Sequence, residues 1–189
     1  MRPALKTAIF FATTWALLKL IFFYVDIFQE TIFVTGLINN LFLLAAIVVG
    51  LYLEKKKEGF GYGSALSDIK NSMVAAAPYA LLVSVFMFFY YKDINPAFTN
   101  NMLQERMDLV YTAMERPTYI DSLILQNQDF NVMEKEEIYA QIKEETASAY
   151  APSALLTISL LGLMILGLTY AIFVTVIFRK ILFRDYYSE

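Results

Sequence analysis

Cysteine and histidine are both absent from this chain of 189 residues. Without cysteine the chain has no disulfide, no thiolate metal site and no cysteine nucleophile. Without histidine it has no Ser-His-Asp triad and no imidazole ligand for a metal ion. Few enzyme mechanisms remain, so we expect a protein that is not an enzyme and that holds neither a cofactor nor a metal ion.

Charged residues are scarce as well. They make up 17% of the chain, against about 25% in ordinary soluble domains, while 58% of the residues are apolar. The net charge of −3 provides no basic excess that would attract nucleic acid. The apolar residues gather in long runs with few charges, and this pattern is typical of membrane proteins.

Four of these runs are long enough to cross a hydrocarbon core of about 30 Å, which takes about 20 helical residues. They cover residues 7–28, 32–53, 73–91 and 152–178. The sequence therefore predicts an all-α polytopic membrane protein, a bundle of four transmembrane helices with one helical insert outside the cytoplasm. The connection 29–31 is so short that the first two helices are expected to pair antiparallel.

Lysine and arginine are concentrated on one side of the predicted membrane. The N-terminus, the connection 54–72 and the tail 179–189 hold nine of them, whereas five are spread over residues 92–151. The positive-inside rule then predicts that both termini face the cytoplasm and that the insert lies outside. We expect the Lys55-Lys56-Lys57 triplet to contact anionic lipid headgroups.

Residues 92–151 form an acidic insert, because five basic residues face eleven acidic ones and the net charge is −6. Asn95-Pro96 is a helix-start signal, and the amphipathic pattern that follows breaks at Arg116-Pro117. Two further helices are predicted, a short one over 119–127 and a polar one over 134–149.

The first insert helix carries an apolar stripe that must be covered. We expect Met102, Val110 and Met114 to pack against Ile138 or Ile142. The acidic residues of the last insert helix are expected to form a solvated face, since they do not have the spacing of a calcium-binding loop.

Lys19 is a charge in the middle of the first predicted span, where insertion costs about 2.5–3.5 kcal/mol. Asn39 and Asn40 reach a similar depth on the second helix, and Asp26 lies two turns away from Lys19. One interpretation is an intramembrane polar site for an anion, a proton or a lipid headgroup. The other is structural: a satisfied polar cluster, a lysine that extends to the interface, and ordinary interfacial charge at Asp26.

Small residues recur at intervals of four along the third predicted span: Ser72, Ala76, Ala80 and Ser84. This spacing lets helices approach closely in lipid. It is compatible with packing inside one chain and also with a homo-oligomer.

Two aromatic segments flank the third predicted span. Residues 59–66 read Gly-Phe-Gly-Tyr-Gly-Ser-Ala-Leu, and residues 90–98 read Tyr-Tyr-x-x-Ile-Asn-Pro-x-Phe. Together with the tight first hairpin and the acidic insert, this layout resembles a bacterial family of small four-span membrane proteins catalogued as a domain of unknown function. The resemblance implies a place in the bacterial inner membrane, and it implies no catalytic or ligand-binding residue.

Three functions are compatible with these features. The first is a non-enzymatic interaction or accessory protein that docks a partner through residues 92–151. The second is a small transporter or channel component that uses Lys19, Asn39 and Asn40. The third is a membrane enzyme or lipid-handling protein, which the missing histidine and cysteine disfavour.

The predicted orientation is testable with reporter fusions. A reporter that is active only in the periplasm should stay silent when it is fused after Glu189, because the basic tail is retained in the cytoplasm. The same reporter inserted near Asn127 should be active. The reverse pattern of activities would overturn the orientation.

Overall fold

All regular elements of the described residues are helical. The structure is a computed structural model, which describes residues 1–27 and 32–186. Seven α-helices lie in these ranges: α1 (Pro3–Tyr24), α2 (Ile32–Glu58), α3 (Ala65–Phe89), α4 (Pro96–Met114), α5 (Pro117–Gln126), α6 (Lys135–Tyr150) and α7 (Pro152–Ile177). A short π turn follows α3 and another follows α7, and a short 3₁₀ turn follows α5. The all-α prediction is confirmed.

Four of the helical stretches are long and apolar enough to cross a membrane: Pro3–Tyr24, Phe33–Glu58, Ala65–Ile94 and Pro152–Leu182. The predicted number of spans is confirmed. The first helix begins before the predicted span 7–28 and ends at Tyr24, four residues before the predicted end, whereas α2 and α3 extend beyond the apolar runs. Hydropathy marks only the part of a helix that suits hydrocarbon, whereas the helical hydrogen bonds of α2 and α3 continue among polar residues. The predicted connection 54–72 therefore shrinks to 59–64. The predicted turn 29–31 lies outside the described residues.

Two glycines and a serine cap allow the connection 59–64 between α2 and α3 to be short. Gly59 and Gly63 adopt positive φ angles of 105° and 85°, which glycine accepts without a steric cost. The Ser64 hydroxyl then accepts a hydrogen bond of 3.2 Å from the amide of Ser67 and caps the helix.

The chain divides into two compact units. One comprises residues 1–86 and 156–189 and contains most of the four helices that are long and apolar enough to span a membrane. The other comprises residues 87–155, which include the predicted insert 92–151, the end of α3 and the start of α7. We call them the spanning unit and the insert unit.

The spanning unit is held together by contacts between small residues. The whole series of Ser72, Ala76, Ala80 and Ser84 is fully buried. A Cβ atom added at Gly50 of α2 would meet Ala75 of α3 at 3.0 Å, and one added at Gly167 of α7 would meet Ala76 at 3.0 Å. The small stripe of α3 is thus covered within the chain, which confirms the intramolecular interpretation and leaves this stripe unavailable to a second copy.

The insert unit has an apolar core of its own. Met107, Val110, Met114, Phe130 and Ile138 are buried in it, and Leu103 and Ile142 pack against it. The expected seam is therefore confirmed for the later residues of α4. It is wrong for Met102, which is half-buried outside this core, because residues 103, 107, 110 and 114 continue the buried face of the helix at spacings of four and three.

The insert helices begin within two residues of the predicted positions. Asn95 accepts a hydrogen bond of 3.3 Å from the amide of Phe98 at the start of α4. Glu134 and Glu137 form a capping box at the start of α6. The short helix α5 begins two residues earlier than predicted, since Pro117 occupies its first turn, where a missing amide costs nothing.

Two glycines of α7 provide a matched test of this packing. The substitution Gly167→Leu should destabilise the protein by about 1–3 kcal/mol, because the added side chain meets Ala76 in a filled space. Gly162→Leu should be neutral or stabilising, because a Cβ at Gly162 meets nothing within 4 Å and leucine favours the helix. Thermal unfolding in detergent micelles measures both. Equal effects of the two substitutions would contradict the close approach of α7 and α3.

Candidate functional sites

Lys19 is buried in the spanning unit with 5% of its surface exposed. The side chain of Lys19 is therefore covered by other residues of the spanning unit. The contacts Ala4–Glu54, Thr7–Ala46 and Phe11–Phe42 fix the register of α1 against α2. Residues at the same depth in an antiparallel pair of helices have a nearly constant sum of residue numbers, and in these three pairs the sum lies between 53 and 58. The same sums place residues 34 to 39 opposite Lys19.

Asn39 falls at the edge of that range, and its described bonds go to α3. The hydroxyl of Tyr79 donates to Asn39 Oδ1 at 2.7 Å and also approaches the main-chain oxygen of Asn39 at 3.1 Å. Asn40 is half-buried and lies just beyond the range opposite Lys19. Tyr79 could not be singled out from the sequence as the partner of Asn39, because it lies 40 positions away in an apolar run with many other aromatic residues.

Asp26 does not enter the interior. It follows the end of α1 with a φ angle of +58°, a left-handed conformation that aspartate tolerates better than most residues, and it is exposed. The structure therefore separates Asp26 from the buried part of the predicted polar site. Whether Lys19, Asn39 and Asn40 bind a ligand stays a prediction.

A buried charge network lies at the opposite end of the spanning unit. Asp68 of α3 is 1% exposed and pairs with Lys55 of α2 and with Arg179 beyond α7. The distances are 2.5 Å from Lys55 Nζ to Asp68 Oδ1 and 2.6 Å from Arg179 Nε to Asp68 Oδ2. One carboxylate thus joins three of the four spanning helices.

The same two cations fix the short loop between α2 and α3. Lys55 Nζ donates to the carbonyl of Tyr62, and Arg179 Nη2 donates to the carbonyl of Gly63 at 2.5 Å. These bonds satisfy loop carbonyls and surround the buried charges with polar partners. A buried ion pair needs such additional hydrogen bonds to offset its desolvation.

A second group of bonds attaches the start of α1 to the same end. Arg2 Nε lies 3.3 Å from Glu54 Oε1, and Arg2 Nη2 donates to Asn71 Oδ1 at 2.7 Å. The amide of Ala4 also donates to Glu54 Oε1 at 3.3 Å. Every spanning helix therefore contributes to this polar end.

The expected contact of the lysine triplet with headgroups is wrong for Lys55, which is 2% exposed, whereas Lys56 and Lys57 are exposed. The buried face of α2 continues at spacings of three and one through residues 43, 46, 47, 50, 51, 54 and 55. Extending the apolar periodicity past the end of the hydrophobic run would have placed Glu54 and Lys55 inside.

The insert unit contains an open cavity of about 270 Å³ between α4 and α6. It is lined by Tyr111, Met114, Glu115, Lys135, Glu136 and Tyr139. The two tyrosine rings meet edge to face, with centroids 5.9 Å apart and an interplanar angle of 85°. Among the residues described, no group of three or more acidic side chains is arranged to hold a metal ion.

No family model, no curated protein and no solved structure matches this chain. The resemblance to a bacterial four-span family stays a prediction from the sequence.

The charge network generates a sharp stability prediction. Asp68→Asn should destabilise the protein by about 3–5 kcal/mol, because it leaves the buried Lys55 ammonium without its carboxylate. Lys56→Met, one residue along and exposed, is the control and should change stability by less than about 0.5 kcal/mol. Denaturant titration in micelles measures both. A stability of Asp68→Asn equal to that of the unaltered chain would show that the network is dispensable.

Proposed function

We propose that this chain is a non-enzymatic interaction or accessory protein of the bacterial inner membrane, with both termini in the cytoplasm. The spanning unit anchors it. The insert unit lies outside the cytoplasm and is a docking surface for another protein of the cell envelope.

One observation carries this proposal. Several buried polar groups of the spanning unit are bonded within the chain, whereas the insert unit exposes large apolar side chains to solvent. In the spanning unit, the polar groups of Asn39, Tyr79 and Asp68 bind one another or neighbouring helices. In the insert unit, large apolar side chains remain outside the core, and Leu125 and Val132 are each 86% exposed. Large apolar side chains this exposed are available for contact with another protein.

The acidity of the insert favours a partner with a basic surface. Residues 92–151 carry a net charge of −6 in a protein whose total is −3. Complementary charge on a partner would raise the rate of encounter and fix its orientation.

The alternative is a small transporter or channel component, and the interior near Lys19 favours it. The indole N–H of Trp15 is buried and has no hydrogen-bond partner among the described residues. Trp15 and Lys19 lie one turn apart on the buried face of α1. A donor and a cation on one face can hold an anion, and this pair of side chains is the observation that favours transport as the second candidate.

Site-specific photo-crosslinking in native membranes tests the docking function. A photoreactive residue at position 125 or 132 should yield one discrete protein adduct, because these side chains are exposed on the insert unit. The same residue in place of Ile165, which is 69% exposed on α7, should give no such adduct.

The opposite outcome would favour the alternative. If positions 125 and 132 give no protein adduct, and if Lys19→Leu abolishes solute flux in proteoliposomes, the docking function is wrong and transport replaces it.

A further inference from the structure

The cavity of the insert unit has a chemistry that its core does not require. Tyr111 of α4 is 62% exposed, although its ring contacts the ring of Tyr139 on α6. Buried Met114 forms the inner wall. A tyrosine ring that is exposed to solvent beside a buried side chain offers an aromatic face to a group that binds in the cavity.

Two carboxylates stand at the same cavity. Glu115 is the residue that follows α4, and Glu136 lies in the first turn of α6. In the ranges that the structure describes, neither carboxylate has a basic nitrogen within 4 Å. The lining also includes Lys135, so the cavity itself carries a net charge of −1 within a unit that is strongly acidic.

From this combination we infer that the cavity binds the guanidinium group of an arginine on the docking partner. A guanidinium stacks on tyrosine rings and pairs with carboxylates through its planar set of donors. The cavity lies slightly below the size of pockets for whole small ligands, about 300–1,000 Å³, and it accommodates one side chain. This inference rests on the proposed docking function and names the chemistry of the partner.

A second acidic groove, on α6, provides a comparison with this cavity. It is lined by Ala140, Gln141, Glu144, Glu145 and Ser148, without an aromatic ring. It therefore offers two carboxylates in the same acidic unit, but no aromatic ring on which a guanidinium can stack. The inference requires that the two grooves differ in binding.

The test uses the full chain in nanodiscs of zwitterionic lipid. The probe is a short blocked peptide with one arginine, and its binding is followed by the NMR signals of the peptide. The matching peptides carry lysine or the uncharged isostere citrulline in place of arginine. We expect arginine to bind most tightly, lysine more weakly and citrulline not measurably, since only arginine combines the charge with a planar fork.

Two double substitutions separate the cavity from the general field. Glu115→Gln with Glu136→Gln should weaken arginine binding about tenfold, because the charge-assisted bonds are lost. Glu144→Gln with Glu145→Gln removes the same charge from the groove without tyrosine and should weaken it less than about twofold. Tyr111→Leu, at an exposed position, should weaken it about fivefold at unchanged helicity.

The outcomes distinguish this inference from the docking function. Equal losses for the two double substitutions, or equal binding of arginine and citrulline, would overturn the cavity as the site. A crosslinked partner at position 125 or 132, together with no binding of the arginine peptide, would also overturn the cavity while leaving the docking function intact. Arginine binding with no crosslinked partner would overturn the docking function and, with it, a protein as the source of the guanidinium.

Discussion

Close contact between helices is the constraint on which the spanning unit depends. Lipid chains are as apolar as leucine, so helices in a membrane gain little from hiding apolar side chains and must instead approach within van der Waals distance. The small residues of α3 permit this approach on several sides, since Ala75 lies against Gly50 and Ala76 lies against Gly167. A larger residue at these positions would separate the helices and weaken every contact along them.

Close helices also determine where charges can lie. At one end of the bundle the helices bring Lys55, Asp68 and Arg179 together around a carboxylate that is buried from solvent. Such a group gives little net stability relative to apolar residues, but it penalises any arrangement that separates its members. Close packing brings the helices near one another, and the charged side chains fix how the helices are aligned along their length.

Much of this arrangement could be predicted from the sequence, because local signals determine it. Apolar runs located the four spans, and Asn95-Pro96 marked the start of a helix. The partners of Asp68 could not be predicted, since they are 13 and 111 positions away and only the packed helices bring them together. Tyr79 as the partner of Asn39 was missed for the same reason. The cavity of the insert unit depends on two helices that meet through a core, and no motif marks it.

The distance of Arg179 from Asp68 along the chain has a consequence for biosynthesis. Ribosomes add about 5–20 residues per second, so the 111 residues between the two take about 6–22 s to make. During this interval Lys55 alone can neutralise Asp68, and the arginine that holds the carbonyl of Gly63 does not yet exist. The charge network of the first three spanning helices therefore stays incomplete until the fourth is made. Nascent chains that stop short of Arg179 would expose this deficit to the proteases that survey newly inserted membrane proteins.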